Sequence, residues 1–114
     1  MATFTDLTEK IEQLEAFEEK AGLRLAALFA GLLTHVEKDL FIHGEIVGEN
    51  AIPVEKGFVV NVSVHDSSGR VVGVGAWRKG PNQFRGFTTF SVRIFALPSS
   101  NLSRIRVYPT TLIR

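Results

Sequence analysis

Metal binding or proton transfer in this chain would fall first to His35, His43 and His65, and no two of them have the i,i+4 spacing of a helical metal motif. A zinc or iron site would need the three to converge, with a carboxylate such as Glu45 completing the set. His43 and His65 could meet only if their segments were adjacent strands; otherwise the histidines read as surface or helix-end residues. Nucleophilic chemistry needs a serine or threonine beside a base. Here Ser67, Ser68, Ser99 and Ser100 fall in turn-like stretches, while Ser63, Ser91 and Ser103 alternate along strand-like ones, with no Gly-x-Ser-x-Gly elbow. Beyond Glu55 the only acid is Asp66, which has a turn role. Gly73-Val74-Gly75 lies inside a strand pattern and opens no helix, so it is no phosphate loop. These residues predict a protein that is not an enzyme and holds no metal or cofactor.

Two groups of residues could instead make contacts. Arg93, Arg104, Arg106 and Tyr108 fall on the outer rows of the last two predicted strands, with Arg78, Lys79 and Arg85 in or near the preceding loop. Paired side by side, those strands would present three guanidinium groups and a phenol to an anionic partner. The partner could be nucleic acid, an acidic protein segment, or the chain's own acidic helix. The second group is Val59, Gly73, Gly75 and Trp77, a shallow groove on the non-core face of a hairpin, where missing side chains let a helix or peptide approach the backbone.

The elements that would position these groups divide near residue 39. Asp6-Leu7-Thr8-Glu9 has the form of a helix start, and apolar residues recur at Leu7, Ile11, Leu14, Ala21, Leu25, Leu28 and Leu32. The spacing predicts a helix over Asp6–Lys38, about 50 Å long if unbroken, with Ala21-Gly22 as its natural break. Residues 23–36, LRLAALFAGLLTHV, are apolar nearly all round, so they require cover on more than one side. Leu25, Leu28, Phe29, Leu32 and Leu33 are therefore the candidate interface for a partner, most simply a second copy in a homodimer.

From Leu40 the period changes to two, predicting strands over Leu40–Gly48, Phe58–His65, Arg70–Trp77, Thr88–Ala96 and Ser103–Tyr108. Residues 49–57 read as a connection and 97–102 as a turn, and Pro109 ends the last strand. Asp66-Ser67-Ser68-Gly69 fits a type I turn followed by a left-handed glycine. Closing it with Asp66 opposite Arg70 sets Val64 against Val72, Val62 against Val74 and Val60 against Ala76, an all-apolar inner face. A shift of one residue would set valines against glycines.

The prediction is an α+β protein: an N-terminal helical segment, residues 1–39, and a five-stranded antiparallel β-domain, residues 40–114, forming one structural domain. At 114 residues, 45% hydrophobic and 22% charged, the chain is long enough for a core without staples. With no cysteine, disulfides and thiolate sites are excluded. No apolar run is long enough to span a bilayer, and the acidic N-terminus lacks signal-peptide character, which favours the cytoplasm. Residues 1–56 carry five Lys/Arg and eleven Asp/Glu, whereas residues 57–114 carry eight Lys/Arg and Asp66 alone. Such a split suits an acidic element packed on a basic one, or a basic face for an anionic partner.

GEIVGEN in the first strand, VSVHDSSGRVVGVG through the hairpin, then F-S-V and I-R-V-Y, resemble the FxLYD-type immunoglobulin-like modules of bacterial proteins over residues 40–108. Val62-Ser63-Val64-His65-Asp66 stands where those modules carry their aromatic-x-leucine-tyrosine-aspartate string. The resemblance implies a non-catalytic accessory or interaction domain, usually at the cell envelope. The expected function is thus a protein–protein interaction or assembly module self-associating through its helix. The alternatives are a nucleic-acid-binding domain using the arginine face and a carrier of a small apolar ligand between helix and sheet.

Overall fold

The computed structural model describes residues 2–48, 57–98 and 101–111, and shows a β-sandwich. The strands are β1 (Thr3–Asp6), β2 (Ile11–Gln13), β3 (Leu23–Thr34), β4 (Lys38–Gly48), β5 (Phe58–Asp66), β6 (Val71–Lys79), β7 (Phe87–Ile94) and β8 (Leu102–Thr111). One helix, α1 (Glu15–Ala21), lies between β2 and β3. Sheet 1 has the order β1-β3-β4-β7 and sheet 2 the order β2-β8-β5-β6. All pairings are antiparallel except β2 on β8, which is parallel. Of the expected connection, residues 49–56 lie outside the described residues, as do Ser99 and Ser100 in the expected turn.

The α+β prediction is overturned, because the long N-terminal helix does not exist. Residues 23–34 form β3, and the reason their spacing imitates a helix is a bulge. Leu23 and Leu25 point into the core, the register then shifts between Ala26 and Phe29, and Ala30 and Leu32 point inward beyond it. A period of two with one phase slip yields Leu25, Leu28 and Leu32 at intervals of three and four, the helical signature. Ala27, at φ 51°, supplies the turn of the backbone that makes the slip. The break expected at Ala21-Gly22 does occur, as the end of α1: Gly22 is left-handed at φ 70° and its N–H bonds back to Glu18 and Glu19.

From β4 onward every strand but β6 follows the expected alternation; on β6 the predicted inward residues Val74 and Ala76 are exposed. Leu40, Ile42 and Ile46 on β4, Phe90, Val92 and Ile94 on β7, and Ile105 and Val107 on β8 all lie in the core. Pro109 does not end β8; it pairs with Val60, beyond the three β8 residues Ile105–Val107 that β2 covers.

The hairpin loop forms as expected, with Asp66 and Arg70 joined by a 3.0 Å backbone bond and Gly69 at φ 86°. The register beyond it is the one that set valines against glycines: Val64 pairs with Gly73, Val62 with Gly75 and Val60 with Trp77. The pairing slips between Val64 and His65, leaving Val72 as the extra residue of a bulge. This rotates Gly73 and Gly75 inward, where the space of their side chains belongs to the opposite sheet. A Cβ on Gly73 would come 2.7 Å from Leu97 Cδ2, and one on Gly75 2.6 Å from Val92 Cγ1. The glycines thus let the sheets close together at the β6–β7 edge.

The N-terminal segment crosses from one sheet to the other and seals the upper part of β3. Leu7 N donates to Ala30 O at 2.8 Å, and Ala30 N donates to Thr8 Oγ1 at 3.2 Å. Where that segment leaves β3, side chains stand in for a neighbouring strand. Leu25 N donates to Glu18 Oε1 at 2.9 Å, and Gln13 Nε2 donates to Leu25 O at 3.0 Å and to Glu18 Oε2 at 3.2 Å. Glu18 is buried, and these bonds keep its carboxylate satisfied.

Candidate functional site

The outer faces of the two sheets differ in chemistry. Alternation puts Phe4 on β1, Phe29, Gly31 and Leu33 on β3, Asp39, Phe41, His43 and Glu45 on β4, and Phe87, Thr89, Ser91 and Arg93 on β7 along the outer face of sheet 1. Phe4 and Phe29 stack with centroids 6.1 Å apart and planes 9° from parallel, and Phe29 continues to His43 at 6.4 Å. Gly31 makes this possible, since a Cβ there would overlap the Phe4 ring. At the far end the Arg93 guanidinium lies 4.6 Å from the Phe41 centroid and 4.5 Å from that of Phe95, and donates to Asp39 Oδ2 at 3.1 Å. The Asp39 carboxyl is held below its ordinary range, first by the Ala96 N–H and then by Arg93. Phe4 is 57% exposed, Phe87 55% and Phe95 61%, on a face that a solvated sandwich would make polar.

Beside this aromatic band, a shallow depression of about 560 Å³ is bordered by Ala27 of the bulge, His43, Glu45, Ser91 and Trp77.

The predicted interface residues separate. Leu25 and Leu32 are core residues, and Leu28 is half-buried against the core with its Cδ2 over Gly44. Phe29 and Leu33 lie together on the outer face of sheet 1. The predicted groove is not a surface: Gly73, Gly75 and Trp77 face inward, and Val59, buried, is on the opposite side of its strand. Trp77 is covered from within, by Phe58 and by Phe90 of the other sheet, each 6.2 Å away.

The predicted anionic-partner face is also divided. Arg93 is on sheet 1, whereas Arg104, Arg106 and Tyr108 are on the outer face of sheet 2. Glu12 takes both arginines, Arg104 Nε at 3.1 Å and Arg106 Nε at 3.0 Å. The acidic N-terminal segment thus does pack on the basic half, with β2 making the ion pairs and the short helix α1 packing on β8 beside them. Tyr108 is faced by Phe17 of α1 at 4.9 Å.

The residues that could do chemistry stay apart. Ser63 Oγ lies 3.2 Å from His65 Nε2, but His65 Nδ1 faces the Gly69 carbonyl at 3.4 Å and not a carboxylate. Among the described residues no three His, Asp or Glu side chains are grouped to hold a metal ion, and no helix is long and apolar enough to cross a membrane.

Sequence reasoning missed the aromatic face because it placed Phe29 and Leu33 on a helix and read Phe4 as lying before it. The available signal was the alternation Phe41-x-His43 and Phe87-x-Thr89, which puts a phenylalanine on the row opposite the core. No protein-family model, no curated protein and no solved structure matches this chain.

Proposed function

We propose that the protein is a non-enzymatic interaction and assembly module that self-associates through the outer face of sheet 1. The aromatic band of Phe4, Phe29, Phe41 and Phe95 on that face is the observation that carries this reading. A fold needs the inner faces of its sheets to be apolar, and nothing in the sandwich itself requires phenylalanine outside. A second copy suits the face because it carries both signs of charge, Arg93 beside Asp39 at one end and Glu45 opposite Thr89 towards the other, and an isologous contact must complement itself. Four strands at about 4.8 Å spacing and about ten residues at 3.3 Å give a face of roughly 600 Å². Two such faces together reach the roughly 1,200 Å² at which stable interfaces begin. The resemblance of the hairpin to FxLYD-type immunoglobulin-like modules, carried by Asp66 and the aliphatic character of Val62 and Val64, agrees with this class of function.

The alternatives have less support. A nucleic-acid face loses Arg93 to the other sheet and Tyr108 to Phe17. Between helix and sheet a carrier has only a cleft of about 200 Å³, lined by Phe17, Ala21 and Pro109 among others, which is below the roughly 300 Å³ at which ligand pockets begin.

Sedimentation equilibrium at about 100 μM tests the proposal. The intact protein is expected as a dimer, and Phe4→Ser with Phe95→Ser as a monomer of unchanged far-UV circular dichroism. A monomer mass for the intact protein at that concentration overturns it.

A further inference from the structure

Sheet 2 ends differently on its two sides. β2, three residues long, lies at one edge and β6, nine residues long, at the other. Among the described residues β6 has one strand neighbour, β5, and Pro109 fixes which of its backbone groups that neighbour takes. Val60 stands between Pro109 on β8 and Trp77 on β6. Proline has no N–H to give, so Val60 and Pro109 form the non-bonded kind of antiparallel pair, and Val60 turns its own N–H and C=O towards Trp77. Asp66 has the same parity on β5, and its N–H does bond across to Arg70 O at 3.0 Å. Alternation then points the N–H and C=O of Gly75, Trp77 and Lys79 at β5, and those of Val74, Ala76 and Arg78 away from the sheet. Exposed edges are usually guarded by charges, prolines or bulges. Here the bulge is at Val72 and the cations stand at the ends, so Val74, 70% exposed, and Ala76 leave the middle of the edge open.

We propose that the β6 edge takes an extended acidic peptide of a partner protein as an added strand of sheet 2. The outward N–H and C=O groups of Val74, Ala76 and Arg78 supply the row of bonds that a strand pairing needs. Charge decides the occupant. Arg70 lies just before the strand, and Arg78 and Lys79 end it. Asp66, the only acid beyond Glu55, is occupied in the turn, where its Oδ1 accepts from Ser68 N, Ser68 Oγ and Arg70 N. A second copy would bring more cations to the edge: paired about Val74, its Arg78 would stand directly opposite Arg70. A segment with acids at its ends and small β-branched residues between them matches both the cations and the exposed Val74 and Ala76. This site goes beyond self-association through sheet 1 and uses none of the residues of that face.

The probe is a blocked peptide of about nine residues, the length of β6, with glutamates at both ends and alternating valine and threonine between. Titrated into intact, isotopically labelled protein, it should give saturable shifts of the amides along Val74–Arg78 that weaken as salt is raised. The same peptide with lysine in place of glutamate should bind about tenfold more weakly, from reversal of the exposed charge pairs. N-methylation of alternate peptide residues should cost about tenfold or more in one of the two possible patterns and little in the other, because a single row of peptide N–H groups faces β6. Ala76→Pro removes an N–H on the solvent side of an edge strand, so it should melt as the parent does and bind about tenfold more weakly. Should that variant fail to fold, the N-methylated peptides decide the point on the unaltered protein. Phe4→Ser with Phe95→Ser should bind the peptide as the parent does, so this site and self-association stand or fall separately. No saturation by about 1 mM peptide, a Kd too weak for a strand-addition site, would overturn the proposal. So would equal binding of the lysine peptide, indifference to both N-methylation patterns, or shifts confined to sheet 1.

Discussion

The two outer faces of this sandwich are built on the same scaffold and carry opposite chemistry. Sheet 2 shows the expected solvent side, with Asn61, Ser63, His65, Arg104 and Arg106 alternating with core residues. Sheet 1 shows phenylalanines in the same structural role, stacked on one another and on Arg93. The inner faces are alike, being aliphatic and aromatic on both sides. Burial therefore accounts for the inner half of every strand and is silent about the outer half, and it is the outer half that distinguishes the two sheets. A β-sandwich is free to vary outside what it must keep constant inside.

One substitution made at two glycines separates the faces most clearly. Gly75→Ala adds a methyl group against Val92 and Ile94 between the sheets. It should cost about 1–3 kcal/mol in urea unfolding, the usual penalty of overpacking. Gly31→Ala adds the same methyl group beneath the Phe4 ring, the free end of a flexible side chain that can swing away. Its stability should change by less than about 0.5 kcal/mol, while dimer formation weakens because the stacked band is disrupted. Equal destabilisation by the two would mean that the outer band is structural and not a contact surface.

A smaller effect sharpens the account of sheet 1. Because the folded state holds the Asp39 carboxyl below its ordinary value of 3.8, the stabilisation is full above that pH and fades as pH falls through the folded-state value. Asp39→Asn should melt lower than the parent at pH 7, with the two converging only in acid, as pH falls through the lowered folded-state value. A gap that persisted in acid would show that the Ala96 N–H and Arg93 contacts do not depend on the charge.

How much of this was legible beforehand depended on whether the backbone kept an unbroken period. On β4, β5, β7 and β8 the alternation is regular, and their inward residues, the Asp66 turn and its Gly69 could be read directly. Bulges defeated the reading elsewhere. The slip at Ala27 made β3 look helical, and the slip at Val72 moved the hairpin register by one residue. A bulge is chosen by what packs over it, here Leu97, Ile94 and Val92 above the β6 glycines, and these lie about 20 residues further along the chain. Local pattern carries no record of such distant neighbours. The acidic-on-basic split was readable as charge, but its execution through Glu12 on a three-residue parallel strand was not.

The passage of the N-terminal segment from sheet 1 to sheet 2 has a consequence in time. β1 pairs with β3, about 30 residues away, whereas Glu12 on β2 meets Arg106 across 94 positions. During synthesis β1 can find its partner early, but β2 must wait until β8 has emerged. Contacts of such separation form slowly. Pulse-labelled hydrogen exchange during refolding should find the amides of Ile11–Gln13 protected last, and protection of them before β8 would refute this order. The strand Ile11–Gln13 is then the last to be fastened, added to sheet 2 only after β8 is in place.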